Sequence, residues 1–254
     1  MTDMTDLTGR RVLVTGGASG IGAACAGKFA AAGASVTVAD LDVDGAKTVA
    51  DRLSGNANAV GADLTDPALD AAALAGDADI IVNNAGIQYV SPVEEFPEDK
   101  FAAIIALMLE APFRLVRAAL PHMYEQGWGR IVNISSVHGL RASAYKSAYV
   151  AAKHGLEGLS KTIALEGGGK GVTSNTICPA YVRTPLVEKQ IADQAKVHGI
   201  AESEVVEKIM LTEPAVKRLV EPAEVADLAV LLCGPGMSFA NGSSYVLDGG
   251  WTAR

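Results

Sequence analysis

Cysteine is scarce in this chain of 254 residues, and its spacing suggests neither a disulfide framework nor a metal site. Cys25, Cys178 and Cys233 are odd in number and far apart, whereas disulfide scaffolds and zinc sites use paired or closely spaced cysteines. We therefore expect three buried thiols and no metal cofactor.

Long apolar runs and an excess of basic charge are also missing. No run reaches the roughly 18 apolar residues that a membrane span requires, and Met1 to Leu7 is polar and acidic, unlike a secretory signal. We expect a cytoplasmic protein with no membrane partner. A net charge of −8 argues against binding to nucleic acid, and it means that local donors must capture any anionic substrate.

Linkers and internal repeats are absent too, which favours a single domain over residues 1–254. Short apolar strands alternate with helical stretches, and this alternation predicts an α/β fold with a doubly wound parallel sheet. The predicted strands are Arg11–Thr15, Ala34–Ala39, Asp79–Val82 and Arg130–Ile134, and the predicted helices are Ile21–Ala32, Lys100–Gln126, Ala148–Glu166 and Pro222–Cys233.

A polar, amphipathic stretch within residues 184–212 follows no strand of its own. Such a segment is typical of a small helical lid over a substrate pocket, so we expect a lid at about 184–212.

The turn after the first strand contains Gly16, Gly20 and Gly22. Glycines at these positions let backbone N–H groups and the next helix N-terminus approach a pyrophosphate. The turn alone is a weak signal, but the strand before it and the helix after it favour a dinucleotide.

Asp40 closes the second predicted strand about 20 residues further on. A carboxylate there accepts hydrogen bonds from the adenosine ribose and repels a 2′-phosphate, which indicates NAD. The alternative is a solvated turn acid, since Asp42 and Asp44 make this turn acidic in any case.

Tyr149 and Lys153 stand four residues apart, on one face of a predicted helix. A cation beside a phenol lowers its pKa, so we expect Tyr149 to act as an acid or base near neutral pH. A proton-transferring tyrosine beside a nicotinamide would oxidise alcohols or reduce ketones.

Taken together, the motifs resemble those of the short-chain dehydrogenase/reductase family over essentially the whole chain. They are the glycine turn, Asp63-Leu64, Asn83-Asn-Ala-Gly86, Ser136 with Tyr149 and Lys153, and Pro179-x-x-Val-x-Thr184. The resemblance implies a Rossmann fold in which Ser136 binds the reacting oxygen, Tyr149 moves the proton, and Lys153 lowers the tyrosine pKa and holds the nicotinamide ribose. The cofactor residues that it implies are Gly16, Ser19, Gly20, Ile21, Gly22, Asp40, Asp63, Leu64, Asn84, Ala85, Gly86, Tyr149, Lys153, Val182 and Thr184.

A second set of residues falls where this family places its substrate pocket. Gln88, His138, Lys146 and Gln190 offer four donors, which suits a carboxylate. Singly, each would be read as a solvated loop or exposed helix residue. With Val182 to Ile191 and Asp248 to Arg254, the set resembles the 3-hydroxybutyrate dehydrogenases, a branch of the family in which the donors clamp the substrate carboxylate. Trp251 and Tyr181 are implied to enclose its short carbon chain, although Trp251 could instead be a core residue.

Three positions depart from the patterns of the family and this branch. Tyr181 stands where the branch has tryptophan, Ala180 replaces a glycine, and Met108 replaces an asparagine in the long helix. That asparagine opens a local bulge that supports a relay water, so with methionine we expect the helix to close.

The resemblance implies interconversion of (R)-3-hydroxybutyrate and acetoacetate with NAD, within ketone-body metabolism, by a homotetramer. The alternatives are another NAD-dependent alcohol dehydrogenase, acting on a diol, a polyol or a longer 3-hydroxy acid, and a catalytically impaired dinucleotide sensor.

Overall fold

A computed structural model describes residues 5–53 and 56–253. The first four residues of the acidic N-terminal stretch, and Arg254 of the C-terminal motif, lie outside the described residues.

In the part of the chain that the structure describes, seven parallel strands form one sheet in the order β3-β2-β1-β4-β5-β6-β7. They are β1 (Arg11–Thr15), β2 (Ser35–Asp40), β3 (Ala57–Gly61), β4 (Ile80–Asn83), β5 (Gly129–Ile134), β6 (Val172–Pro179) and β7 (Ser244–Leu247). The order reverses between β1 and β4, which creates a crevice at the carboxyl ends of the strands, where open α/β sheets bind ligands.

Helices cover both faces of the sheet, which confirms the doubly wound α/β class. They are α1 (Gly20–Ala31), α2 (Val43–Ala50), α3 (Ala71–Ala75), α4 (Glu98–Ile105), α5 (Ala111–Gln126), α6 (Ser147–Gly167), α7 (Pro185–His198), α8 (Glu202–Val205) and α9 (Pro222–Cys233).

The residues of β1 show how the sheet separates two cores. Val12 and Val14 join a buried cluster with residues of α1, α2 and α9, whereas Leu13 joins a second cluster with residues of α3, α5 and α6. Alternate side chains of a strand point to opposite faces, so the continuous apolar run of β1 supplies both cores.

The four predicted strands and the four predicted helices are present, with ends that differ by at most two residues. Strands β3, β6 and β7 were not predicted from the sequence. In β6 the reason is polarity: Thr173, Ser174, Asn175 and Thr176 are all buried. Their side chains find partners within the fold, for example the Asn175 amide with Ala240 O at 2.8 Å, so the strand carries little hydrophobic signal.

The expectation that methionine closes the long helix is wrong. Residues Ala106–Glu110, between α4 and α5, form a π-helical turn, and Met108 lies inside it, 1% exposed. Met108 packs with Ile104, Ala148 and Ala152, two of them residues of α6. We attribute the bulge to this packing, which needs no asparagine amide.

The segment predicted as a lid contains α7, α8 and a π-helical turn at Val206–Met210. Val187, Ala195, Val205, Met210 and Leu219 form its own small apolar cluster, separate from the two cores of the sheet. Within the described residues, no helix is long and apolar enough to cross a membrane.

Candidate active site

A cavity of about 520 Å³ lies at the carboxyl ends of the strands. Of the residues assigned to the site from sequence, all but Gly22 line it. It therefore joins the glycine turn, the Ser136, Tyr149 and Lys153 group, and the proposed carboxylate donors in one space.

Close backbone packing explains the glycines of the turn. A Cβ on Gly22 would lie 2.1 Å from Gly16 O, and one on Gly16 would lie 2.8 Å from Ala85 Cα. Gly20 has a φ of +55° and begins α1. Gly22 thus supports the turn from behind, while Gly16, Ser19, Gly20 and Ile21 face the cavity.

The chain fixes the Asp40 carboxylate at the cavity wall. Its Oδ2 accepts from Ala18 N at 2.9 Å and its Oδ1 from Asp42 N at 3.0 Å. Asp42, by contrast, accepts from Gly45 N at 3.0 Å and caps α2. Asp42 therefore stabilises the start of α2, whereas Asp40 lines the cavity.

The segment after β4 is tied directly to the glycine turn. Asn84 Nδ2 donates to Thr15 O at 2.9 Å and to Gly16 O at 3.0 Å. Asn84, Ala85 and Gly86 are thereby held across the cavity floor, where all three line it.

Four further residues that were assigned to the cofactor also line the cavity: Asp63, Leu64, Val182 and Thr184. The pKa of Asp63, which is fully exposed, is lowered because Thr65 donates to its carboxylate. Thr184 Oγ1 accepts from Val187 N at 3.3 Å and caps α7. Leu64 and Val182 supply buried apolar wall.

The catalytic candidates converge beside the end of β5. Ser136 follows β5 in an extended conformation and its Oγ accepts from His138 N at 3.1 Å. Lys153 donates from Nζ to Ile134 O, and its Nζ lies 5.6 Å from the centroid of the Tyr149 ring.

We expected Lys153 to lower the pKa of Tyr149, and in the protein without a bound cofactor this expectation is wrong. Burial raises the pKa of Tyr149 to about 12, because desolvation of the phenol outweighs its hydrogen bond with Ser136, which lowers the pKa. Lys153 gives its shortest contact to a main-chain carbonyl, and burial lowers its own pKa to about 8. Further positive charge is needed to bring the phenol near neutrality.

Three of the four substrate donors are buried, whereas a solvated loop residue or an exposed helix residue would be open to solvent. Lys146 is 3% exposed, His138 6% and Gln190 7%. Burial lowers the pKa of Lys146 to about 8 and that of His138 to about 4, the latter with help from the charge of Lys146. At neutral pH, Lys146 is therefore charged and His138 neutral.

Three buried polar atoms at this end of the cavity have no hydrogen-bond partner among the residues that the structure describes: Gln88 Nε2, His138 Nδ1 and Gln190 Oε1. Gln190 Nε2 donates to Leu186 O at 3.3 Å, so this amide must rotate before it can donate into the cavity. Unpaired buried polar groups are costly, by about 1–3 kcal/mol each, unless a ligand satisfies them.

Aromatic rings connect the donors to one another. Tyr181 stacks on Trp251 with centroids 6.1 Å apart, and Trp251 meets His138 edge to face at 5.5 Å. The Tyr181 hydroxyl, which a tryptophan would lack, accepts from Lys146 Nζ at 3.1 Å. Trp251 thus lines the cavity as well as packing against its walls.

Sequence reasoning missed several cavity residues: Leu41, Thr65, Ile87, Leu107, Ser135, Val137, Leu186 and Val187. Most are apolar and adjoin residues that were assigned, so adjacency was the available signal. Ser135 is adjacent to Ser136 and carries an unpartnered buried hydroxyl.

Comparison with known proteins places this architecture in a family. The short chain dehydrogenase model matches residues 10–195. A D-beta-hydroxybutyrate dehydrogenase of Rhizobium meliloti is 45% identical, across 96% of this chain and 99% of its own. One from Cupriavidus necator is 43% identical, across 98% and 100%.

Among solved structures, one described as an NAD(P) dependent gluconate 5-dehydrogenase from Beutenbergia cavernae, with bound NADP, superposes with a TM-score of 0.88. It is 33% identical and covers 99% of this chain and 100% of its own.

Proposed function

The chain belongs to the short-chain dehydrogenase family, and from this premise we propose that it interconverts (R)-3-hydroxybutyrate and acetoacetate with NAD and NADH. The observation that carries the proposal is the donor set in the same cavity as Tyr149: His138 and Lys146 are buried, and so is the Nε2 atom of Gln88. Two relatives that are 43–45% identical and bear a hydroxybutyrate dehydrogenase name support it.

The residues of the glycine turn fit a dinucleotide. The cradle formed by Gly16, Gly20 and the start of α1 has no room for side chains at its closest approaches, so backbone N–H groups can contact a pyrophosphate. Asp40 would receive the ribose hydroxyls and disfavour a 2′-phosphate, which supports NAD. Asp63, Leu64, Asn84, Ala85, Gly86, Val182 and Thr184 would complete the site.

When bound, the oxidised nicotinamide supplies the hydride acceptor and a positive charge. Ser136 Oγ would donate to the 3-oxygen of the substrate, and Tyr149 Oη would take the proton from that oxygen during oxidation. Lys153 would stabilise the resulting tyrosinate charge, since its ammonium lies beside the ring.

Lys146 would hold the substrate carboxylate by charge, with Gln88 and neutral His138 as hydrogen-bond donors. An anion next to Lys146 favours its protonated form and so opposes the effect of burial. Fixing the carboxylate also fixes the 3-carbon, so binding and orientation come from the same contacts. Trp251 and Tyr181 would enclose the carbon chain.

We further propose that residues 184–212 close over the substrate, that the molecule acts as one domain, and that it assembles as a homotetramer in the cytoplasm. The separate apolar cluster of α7, α8 and Leu219 supports a lid that moves as a unit.

The proposal is tested by following NADH absorbance with (R)-3-hydroxybutyrate, (S)-3-hydroxybutyrate and butane-2,3-diol as substrates. We expect turnover of the (R)-acid and little of the other two. Turnover of the diol at a rate equal to that of the (R)-acid would favour a general alcohol dehydrogenase instead. NADH binding without turnover of any substrate would favour the dinucleotide sensor.

A further inference from the structure

A buried carboxyl group lies one helical turn beyond Lys153 and outside the cavity. Glu157 is 4% exposed and is the fourth residue after Lys153 on α6. Residues four apart share a helix face, so Tyr149, Lys153 and Glu157 form a row along α6.

Donors from two strands hold the Glu157 carboxyl. Thr176 Oγ1 of β6 donates to Oε2 at 2.9 Å, and Ser244 Oγ of β7 donates to the same oxygen at 2.6 Å. Cys178 Sγ donates to Oε1 at 3.2 Å. In all three contacts the carboxyl accepts, which is the arrangement that stabilises an ionised acid.

The turn at residues 137–139, which follows the catalytic serine, packs against the stem of the Glu157 side chain. A Cβ on Gly139 would lie 3.3 Å from Glu157 Cγ and 3.2 Å from Lys153 O. Glu157 therefore contacts the backbone that places Ser136 and His138, and Cys178 connects it to Pro179 at the cavity wall.

A buried carboxylate is stabilised by a nearby cation. Four elements surround Glu157, and each places at least one residue close to it. Helix α6 contributes Lys153, β6 contributes Cys178, β7 contributes the neutral Ser244, and the 137–139 turn contributes Gly139. Burial raises the pKa of the Cys178 thiol to about 12, so it is uncharged. For Lys153, burial lowers the pKa, and negative charge on Cys178 and on Glu157 opposes that effect. Because the Cys178 thiol is uncharged near neutral pH, Glu157 is the group of the two that supplies the charge there.

We propose that Glu157 is a positioning residue that acts through Lys153, by keeping its ammonium protonated beside Tyr149 while the proton moves. The proposal rests on the proposed function for the reaction itself. Removal of the carboxylate would let Lys153 lose its proton at lower pH, and a neutral lysine no longer stabilises a tyrosinate.

The test is Glu157→Gln, which keeps the shape but removes the charge. The amide replaces one accepting oxygen with an N–H donor, and the Thr176 and Ser244 hydroxyls can accept from it. Competitive acetylation of the cofactor-free protein with acetic anhydride, read by mass spectrometry at a series of pH values, reports the protonation of Lys153. Only the neutral amine reacts, so we expect the midpoint for Lys153 to move down by about one pH unit. In the profile of kcat against pH, the alkaline limb should move to lower pH by a similar amount.

The kcat profile is the proper kinetic readout, because kcat reports the substrate complex, in which the substrate carboxylate keeps Lys146 charged. Ser160→Ala is the matched control. It removes a buried hydrogen bond between α6 and β6, from Ser160 Oγ to Ser174 Oγ at 2.9 Å, and leaves the charge in place. We expect it to lower stability without moving either midpoint.

An unmoved Lys153 midpoint in folded Glu157→Gln protein would overturn the proposal. If Glu157→Gln does not fold, Glu157→Asp decides: with the charge kept, the midpoint should stay, and a downward shift of a full unit would contradict us. Acetylation needs no substrate, so a lack of turnover on 3-hydroxybutyrate would refute the proposed function and leave this result standing.

Discussion

The two ends of the cavity differ in how their polar groups are hydrogen-bonded. At the cofactor end, polar groups are satisfied within the chain: Asn84 donates to Thr15 and Gly16, and Asp40 accepts from two backbone N–H groups. At the substrate end, Gln88 Nε2 and His138 Nδ1 are buried and find no partner within residues 5–53 and 56–253.

The difference indicates how each end gains its specificity. The cofactor end is a rigid backbone shape that excludes side chains, whereas the substrate end holds unpaired donors that favour an anionic ligand. Variants at the two ends should therefore fail in different ways, and the following predictions run from the largest expected effect to the smallest.

Tyr149→Phe should lower kcat by about 10³-fold, because only the proton-transferring oxygen is lost. Binding of NADH, measured by fluorescence titration, should stay within about twofold of wild type, since the fold of the cofactor end does not depend on this hydroxyl. Lys153→Ala should weaken both turnover and NADH binding. A phenylalanine variant that retained near wild-type kcat would show that another group moves the proton.

Lys146→Ala should reduce kcat/KM for 3-hydroxybutyrate by about 30- to 1000-fold, equivalent to about 2–4 kcal/mol, because it removes the cation of the clamp. NADH affinity should not change. Lys161→Ala, which removes an exposed lysine of α6, is the control and should match wild type. Equal losses in the two variants would mean that Lys146 does not bind the substrate.

Asp40→Ala should change the ratio of kcat/KM for NAD over NADP by on the order of 100-fold, since a carboxylate and a 2′-phosphate repel at close range. Asp44→Ala, at an exposed acid in the first turn of α2, should leave that ratio unchanged. The wild type should strongly prefer NAD. Comparable kcat/KM for NAD and NADP in the wild type would contradict the assignment of Asp40.

Met108→Asn should change kcat by less than about twofold, because the π-helical turn that an asparagine would open is already present. Had methionine closed the helix, as expected from the sequence, an asparagine that reopened it would raise kcat by up to about tenfold, equivalent to roughly 1.4 kcal/mol of barrier. A tenfold rise in kcat would show that the amide itself, and not the bulge, is what this chain lacks.

The cofactor end was the more predictable of the two because backbone geometry leaves local traces in sequence. The glycines stand within seven residues of one another, next to an apolar strand. Strand β6 was missed because four consecutive residues of its buried run are polar, and their hydrogen-bond partners lie far along the chain.

Electrostatic effects and packing were also hard to predict, because they too depend on residues that lie far apart in the chain. The raised pKa of Tyr149 depends on crowding by residues from several elements, which spacing on one helix does not reveal. The partners of Glu157 stand 19 and 87 residues away at Thr176 and Ser244, so no local motif indicates its role. The bulge at Met108 likewise depends on packing against α6.

The most direct test of the central claim compares 3-hydroxybutyrate with its methyl ester as substrates of the wild-type enzyme. The ester keeps the carbon chain and the 3-hydroxyl but lacks the charge that Lys146, Gln88 and His138 would bind. We predict that kcat/KM for the acid exceeds that for the ester by about 100-fold or more, a difference of about 3 kcal/mol, and that Lys146→Ala removes most of this preference. Equal kcat/KM for the acid and the ester would contradict the claim that this end of the cavity is a carboxylate clamp.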